Sequence, residues 1–202
     1  MQQKGVLLIV CGPSGVGKTS LCRQLLRDHD RLRFSVSVTT RAPREGEVDG
    51  QDYHFVDAKA FDRMKEEGAF AEWAHVHGNQ YGTTFETLRT AWAEDSDLIF
   101  DIDYQGARQL KESFPDGTGV LVVPPDMQTL RQRLRGRGSE SEASFERRID
   151  NARQELAQYE LFDYIVENDD FDRAVEVLSS VYLAARHRRP LSDPMVRSLL
   201  DD

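Results

Sequence analysis

The residues Gly12-Pro13-Ser14-Gly15-Val16-Gly17-Lys18-Thr19 meet the pattern G-x-x-x-x-G-K-[ST] at every fixed position, and Ser20 follows directly. Such residues bind polyphosphate. Glycines let backbone N–H groups converge on a concave nest, and the start of a following helix adds its partial positive charge. The Lys18 ammonium would reach the β- and γ-phosphates of a nucleotide, and the Thr19 hydroxyl would hold Mg²⁺. A glycine-rich turn between a strand and a helix would by itself need neither Lys18 nor Thr19. A second candidate constellation lies in Thr39-Thr40-Arg41-Ala42-Pro43-Arg44, where two guanidiniums suit bidentate recognition of a phosphate. Tyr53 and Tyr81 could add phenolic donors to the same anion. An Arg-x-x-Arg pair alone is weak evidence, because loops also carry such pairs for solubility. Asp101 closes an apolar run, the usual place for a carboxylate that supports Mg²⁺ directly or through water. Asp103 falls on the same side if the strand continues that far.

These residues need elements to hold them. Val6-Leu7-Leu8-Ile9-Val10 predicts a strand running into the glycine-rich loop, and Leu21, Leu25 and Leu26 give the next stretch the spacing of an amphipathic helix. Phe34-Ser35-Val36-Ser37-Val38 alternates like one half-buried strand, and residues 39–52, with Pro43, Gly46 and Gly50, read as a loop. Tyr53 to Val56 is a short strand, Asp57 caps a helix that stops near Gly68, and residues 70–76 are extended. A turn at 77–80 leads to a helix capped at Thr83 or Thr84. Near-continuous apolar strands at 98–102, 119–123 and 164–166, each followed by a helical pattern, predict an α/β fold with a parallel sheet flanked by helices. The expected division is a phosphate-loop core over 1–33, 94–136 and 155–190, an inserted β-rich lobe over 34–93, a helical lid over 137–154 and a tail over 191–202. Pro190 is expected to end the last helix and leave the tail mobile or as an appended turn.

The 202 residues suffice for one domain with inserted lobes, and a net charge of −9 argues against general binding to nucleic acid or anionic membranes. No stretch approaches the ~20 apolar residues of a membrane span, and no apolar leader precedes the first strand. Cys11 and Cys22 lack metal-ligand spacing and read as reduced core thiols, so a cytoplasmic setting is expected. His29, His54, His75, His77 and His187 form no catalytic constellation. Arginines crowd one lysine-free segment, from Arg131, Arg133 and Arg135 through Arg137 to Arg147, Arg148 and Arg153. For the first three, a solvated helix face is the favoured reading.

Several motifs in one order resemble guanylate kinases over nearly the whole chain, from Gly5 to about Arg188. They are Gly12 to Ser20, Ser35 to Phe55, Glu72-Trp73, Gly78 to Thr83, Asp101 to Gly106, Gly136-Arg137-Gly138 and Glu167 to Asp170. The resemblance implies phosphorylation of GMP, and of dGMP, to the diphosphate at the expense of Mg·ATP, with ATP and GMP as the small-molecule partners. It implies that Arg41, Arg44, Tyr53 and Tyr81 take the GMP phosphate, and that Ser37, Glu72, Thr83 and Asp103 take the guanine. The base chemistry agrees, since carboxylates suit the N1–H and amino donors of guanine and a hydroxyl suits O6. Arg137 and Arg148 resemble arginines that close over the triphosphate, and Asn168 resembles a residue beside the adenine of ATP. Arg133 is a further phosphate candidate, and Arg147 competes with Arg148 for the inward position. Lys18, Arg41, Arg137 and Arg148 are the expected catalytic set, stabilising charge on the transferred group. The alternatives are a non-catalytic guanylate-kinase-like binding module, another nucleoside monophosphate kinase or a simple NTPase.

Overall fold

A computed structural model describes residues 4–76, 78–136 and 142–200. Its first strand, β1 (Leu7–Cys11), is buried along its whole length. Alternate side chains of β1 feed two separate cores. Leu8 and Val10 join Leu21, Leu25, Leu178 and Tyr182 on one side, whereas Leu7, Ile9 and Cys11 join Leu88, Trp92, Ala107 and Leu110 on the other. The period-two geometry of a strand produces that division, and each fully buried Leu or Ile contributes roughly 1.5–3 kcal/mol. The helices that supply the first core are α1 (Lys18–Asp28) and α7 (Phe171–Arg186), and those that supply the second are α3 (Phe85–Ala93) and α4 (Tyr104–Ser113).

The sheet holding β1 is parallel throughout, in the order β2-β7-β1-β8-β9, with β2 (Leu32–Phe34), β7 (Asp97–Asp101), β8 (Thr118–Val123) and β9 (Tyr164–Glu167). The chain leaves β1 for strands on either side of it, so a crevice opens beyond the carboxyl ends of β1, β7 and β8, where open α/β sheets bind ligands. A second sheet, β4-β3-β6-β5, stands beside that crevice. It comprises β3 (Ser37–Thr39), β4 (Tyr53–Phe55), β5 (Phe70–Val76) and β6 (Asn79–Thr84), with α2 (Ala58–Glu66) between β4 and β5. Only β3 and β4 run parallel in it. Beyond β8, α5 (Met127–Arg135) and α6 (Glu142–Leu156) pack together through Leu130, Leu134, Phe145, Ile149 and Ala152.

Two sequence expectations are corrected. The run Phe34–Val38 is not one strand: Phe34 closes β2, the Ser35 amide still bonds the Ile99 carbonyl at 2.9 Å, and β3 begins the second sheet at Ser37. Its hydroxyls mimicked a solvated face, yet Ser35 and Ser37 are buried and each lies 3.2 Å from the buried Thr83 Oγ1. The tail is also ordered differently. The last core helix ends at Arg186, and residues 189–200 form α8 (Arg189–Leu200), with Pro190 in its first turn, where a missing N–H costs nothing. Leu191 packs against the first core. Asp57 and Thr84 cap helices as expected, accepting from the amides of Ala60 and Thr87, and Asp126 caps α5 by accepting from that of Thr129. No helix among the described residues is long and apolar enough to cross a membrane.

Asp97 ties the ends of the fold together. Its carboxylate is buried, accepts from the Val6 amide at 2.8 Å and the Tyr182 hydroxyl at 2.7 Å, and has Arg186 Nε at 3.2 Å. Tyr182→Phe should therefore lower unfolding stability by about 1–3 kcal/mol, seen as a lower urea midpoint with an unchanged m value. An unaltered midpoint would show that this buried hydrogen bond contributes nothing net.

Candidate functional site

The loop between β1 and α1 depends on left-handed backbone. Gly12 has φ 142° and Gly17 has φ 101°. A Cβ at Gly12 would strike the Val122 carbonyl oxygen, and one at Gly17 would strike the Asn168 side chain. Glycine is thus required by both conformation and space. Val16 is buried beneath the loop, whereas Gly12, Pro13, Ser14, Gly15, Gly17, Lys18, Thr19 and Ser20 line a cavity of about 370 Å³. Lys18 Nζ donates to the Gly12 carbonyl and lies 3.5 Å from that of Pro13. Thr19 Oγ1 donates to Asp101 Oδ2 at 2.8 Å, at the end of β7.

Across the same cavity stand Ser37, Tyr53, Glu72, Tyr81 and Asp103. Thr83 lies one layer behind, fully buried, with its hydroxyl on Ser35 and Ser37. Burial raises the Glu72 carboxyl to about 7; a hydrogen bond from Thr83 opposes that shift, and the charge of Asp103 adds to it. Asp103 does not extend β7. It is the N-cap of α4, accepting from the amides of Gln105 at 3.1 Å and Gly106 at 3.0 Å, with the Gln105 side chain on its second oxygen. The strand stops at Asp101 because these caps turn the chain directly into a helix.

Arg41 and Arg44 do not line the cavity wall themselves. Arg41 stacks over Tyr53, 5.3 Å from the ring centre, and pairs with Glu47 at 2.8 Å. Glu47 first, and Tyr81 also, hold the guanidinium even more firmly protonated, while Arg41 in turn lowers the Glu47 carboxyl. Glu47 also accepts from the Arg44 backbone amide at 2.7 Å, but the Arg44 side chain is exposed. Burial keeps the Tyr53 phenol above its ordinary range, and so a donor at neutral pH. The tyrosine rings lie 6.0 Å apart, edge to face.

From the other side, Arg148 Nη2 donates to Ser14 Oγ at 3.0 Å, whereas Arg147 is exposed. Arg137 lies outside the described residues. Arg131 pairs with Glu146 and Arg135 with Glu142, stitching α5 to α6, while Arg133 donates to the Asn168 carbonyl at 2.9 Å. Asn168 is buried beneath the loop, its side-chain amide on the Val16 carbonyl at 2.7 Å. Burial pushes both thiols, Cys11 and Cys22, up, which leaves them un-ionised packing groups.

Sequence reasoning missed Ser35, Glu47 and Glu155. Glu155 lines the cavity from α6, and burial raises it to about 7 against the opposing charge of Lys18. A usable signal existed for it: Ile149, Ala152 and Glu155 follow at helical spacing, which places this carboxylate near the inward face.

The described residues contain no cluster of three or more His, Cys, Asp or Glu side chains that could hold a metal. A hydroxyl and one carboxylate oxygen, adjacent at the rim of a phosphate nest, are hard donors of the kind Mg²⁺ takes when phosphates and water complete its shell.

The family model described as Guanylate kinase matches residues 4–185. A guanylate kinase of Geobacter metallireducens is 50% identical over 188 residues, covering 93% of this chain and 93% of its own. One of Syntrophotalea carbinolica is 49% identical over 184 residues, covering 91% and 88%. The crystal structure of guanylate kinase from Anaplasma phagocytophilum superposes with a TM-score of 0.75 at 31% identity, over 93% of this chain and 89% of that one. With the phosphate loop and the facing polar wall already in place, these likenesses establish that the chain belongs to the guanylate kinase family.

Proposed function

We propose that the cavity takes Mg·ATP and GMP end to end, and that the γ-phosphoryl group passes in line to the GMP phosphate, giving ADP and GDP; dGMP serves as acceptor too. The observation that carries this reading is that the phosphate loop and the Ser37, Glu72 and Asp103 group open on one cavity. The second sheet is the acceptor-binding lobe. Glu72 accepts from the N1–H and amino group of guanine, with Asp103 beside it, and the Ser37 hydroxyl, backed by Thr83, serves O6. Adenine would turn an acceptor nitrogen toward Glu72 and leave buried polar groups unpaired, a mismatch that such sites reject by ~10⁴-fold or more. Arg41, Arg44, Tyr53 and Tyr81 receive the GMP phosphate, and Asn168 borders the adenine of ATP.

An ionised phosphate oxygen is already a nucleophile, so the chain needs to supply no base. Lys18, Arg41, Arg137 and Arg148 stabilise the charge as it spreads over the moving group. Thr19 and Asp101 are the residues that would hold Mg²⁺, which neutralises charge on the phosphate oxygens when bound. Water must be kept from the γ-phosphate, and the walls contributed by the second sheet and α6 exclude it. A cytoplasmic setting, where thiols stay reduced, suits the unpaired Cys11 and Cys22.

Glu72→Gln tests the base recognition: kcat/KM for GMP should fall by about 10–100-fold, and the preference for GMP over AMP should shrink with it. Full retention of that preference would remove Glu72 from guanine recognition. The pH dependence has a definite sign. Below about 7 the Glu72 carboxyl carries a proton, which guanine binding must expel. GMP affinity should then rise by up to ~10-fold per pH unit toward 7 and level off above it, measured by calorimetry. The GMP phosphate loses its own proton near pH ~6, so the difference between wild type and Glu72→Gln isolates the carboxyl. Identical profiles for both proteins would contradict the assignment. Finally, a Cβ at Gly106 would lie 2.5 Å from Glu72 Oε2. Gly106→Ala should displace that carboxylate and raise KM for GMP about tenfold while leaving KM for ATP within twofold. Equal changes in both constants would point to general damage instead.

A further inference from the structure

Glu155 has no part in the chemistry above, yet its position is costly. It lies seven residues beyond Arg148 on α6, two helical turns or about 10 Å along one face. The same helix therefore presents a guanidinium to Ser14 at one end of the loop and a carboxylate to the cavity at the other. The Glu155 side chain makes no hydrogen bond among the described residues, and Asp101 and Asp103 repel its charge. A largely buried carboxylate with neither hydrogen bonds nor a cation is strongly disfavoured. Among the charges that act on it, Lys18 is the one of opposite sign. Lys18 has three N–H donors and directs them at the Gly12 and Pro13 carbonyls, so at least one can serve another acceptor.

We propose that Glu155 is a positioning residue for phosphoryl transfer: from α6 it draws the Lys18 ammonium to the cavity side of the loop, against the pull of the Gly12 and Pro13 carbonyls. The inference rests on the phosphoryl-transfer reading of the site. Without that carboxylate, nothing opposes the pull of the Gly12 and Pro13 carbonyls on which Lys18 rests, and the ammonium meets the transferring group in a poorer position, while the acceptor contacts on the second sheet are untouched. The loss therefore belongs to kcat, and not to KM for GMP.

The test compares Glu155→Gln, Glu155→Asp and Lys18→Ala, singly and with Glu155→Gln combined with Lys18→Ala, in steady-state ADP formation and urea unfolding of the full chain. Glu155→Gln should lower kcat by about 10- to 100-fold with KM for GMP within twofold and an undiminished unfolding midpoint. Glu155→Asp, which keeps the charge on a shorter arm, should recover part of the rate. In the Lys18→Ala background, Glu155→Gln should cause no further fall, because the group it positions is gone. Wild-type kcat in Glu155→Gln, a loss confined to KM or to the unfolding midpoint, or an equal loss in the Lys18→Ala background would each overturn the inference. A wild-type chain that forms no GDP would overturn the phosphoryl-transfer reading itself, a different outcome from active wild type with unaffected variants.

Discussion

Backbone amides can encircle a phosphate only where the chain adopts left-handed conformations, and the segment from Gly12 to Gly17 is built around that restriction. The neighbouring structure leaves no slack, because the Val122 carbonyl and the Asn168 side chain occupy the space that any Cβ would need. Loop shape is consequently inherited from β8 and from the residue just beyond β9, and through them from the parallel sheet. The buried β1 fixes where the loop begins, α1 fixes where it ends, and Leu134 from α5 closes over Gly15. An anion site made of main chain is therefore as rigid as the core beneath it.

The opposite wall works by different physics. Its polar groups are hydroxyls and carboxylates, most of them buried, that are held by one another or by the backbone: Ser35, Ser37 and Thr83 form a hydroxyl cluster, Thr83 also supports Glu72, and the half-buried Asp103 is held by the amides that start α4. Each is oriented before a ligand arrives, at the cost of desolvation that raises Glu72 to about 7. The guanidinium of Arg41 is likewise fixed by Glu47 and by the ring of Tyr53. In this chain of net charge −9, carboxylates set the directions of arginines, as Glu47 does for Arg41 and Glu146 for Arg131.

Much of this was legible from residue types alone. The phosphate loop announces itself because few other structures need that many glycines followed by lysine and threonine, and β1, β7 and β8 read clearly because strands buried on both faces are continuously apolar. The second wall was read through the family resemblance more than through pattern. Short strands of mixed polarity give a weak periodic signal, and the buried serines of Phe34–Val38 looked like a solvent face until Thr83 supplied their partner. Asp103 illustrates another limit: two residues after a strand end, a carboxylate can extend the strand or cap the next helix, and only the amides of Gln105 and Gly106 decide. Pro190 argues for a helix end followed by a mobile tail or an appended turn, yet a proline in a first turn is compatible with α8. Glu155 carries only the helical spacing it shares with Ile149 and Ala152, a weak mark in a helix rich in charge; what that inward face meets is decided when the helix docks on the loop.

The most direct test of whether one cavity serves both a triphosphate donor and a guanine-bearing acceptor is ADP formation by the purified chain with Mg·ATP and, in turn, GMP, dGMP, AMP, UMP and no acceptor. Rapid turnover with GMP and dGMP, and at most trace turnover with AMP, UMP or water, is the expected result. Equal turnover with AMP would contradict the role of Glu72 and Ser37. ADP release without any acceptor would contradict the coupling of the two sites, and ATP binding without turnover would leave a binding module in place of an enzyme.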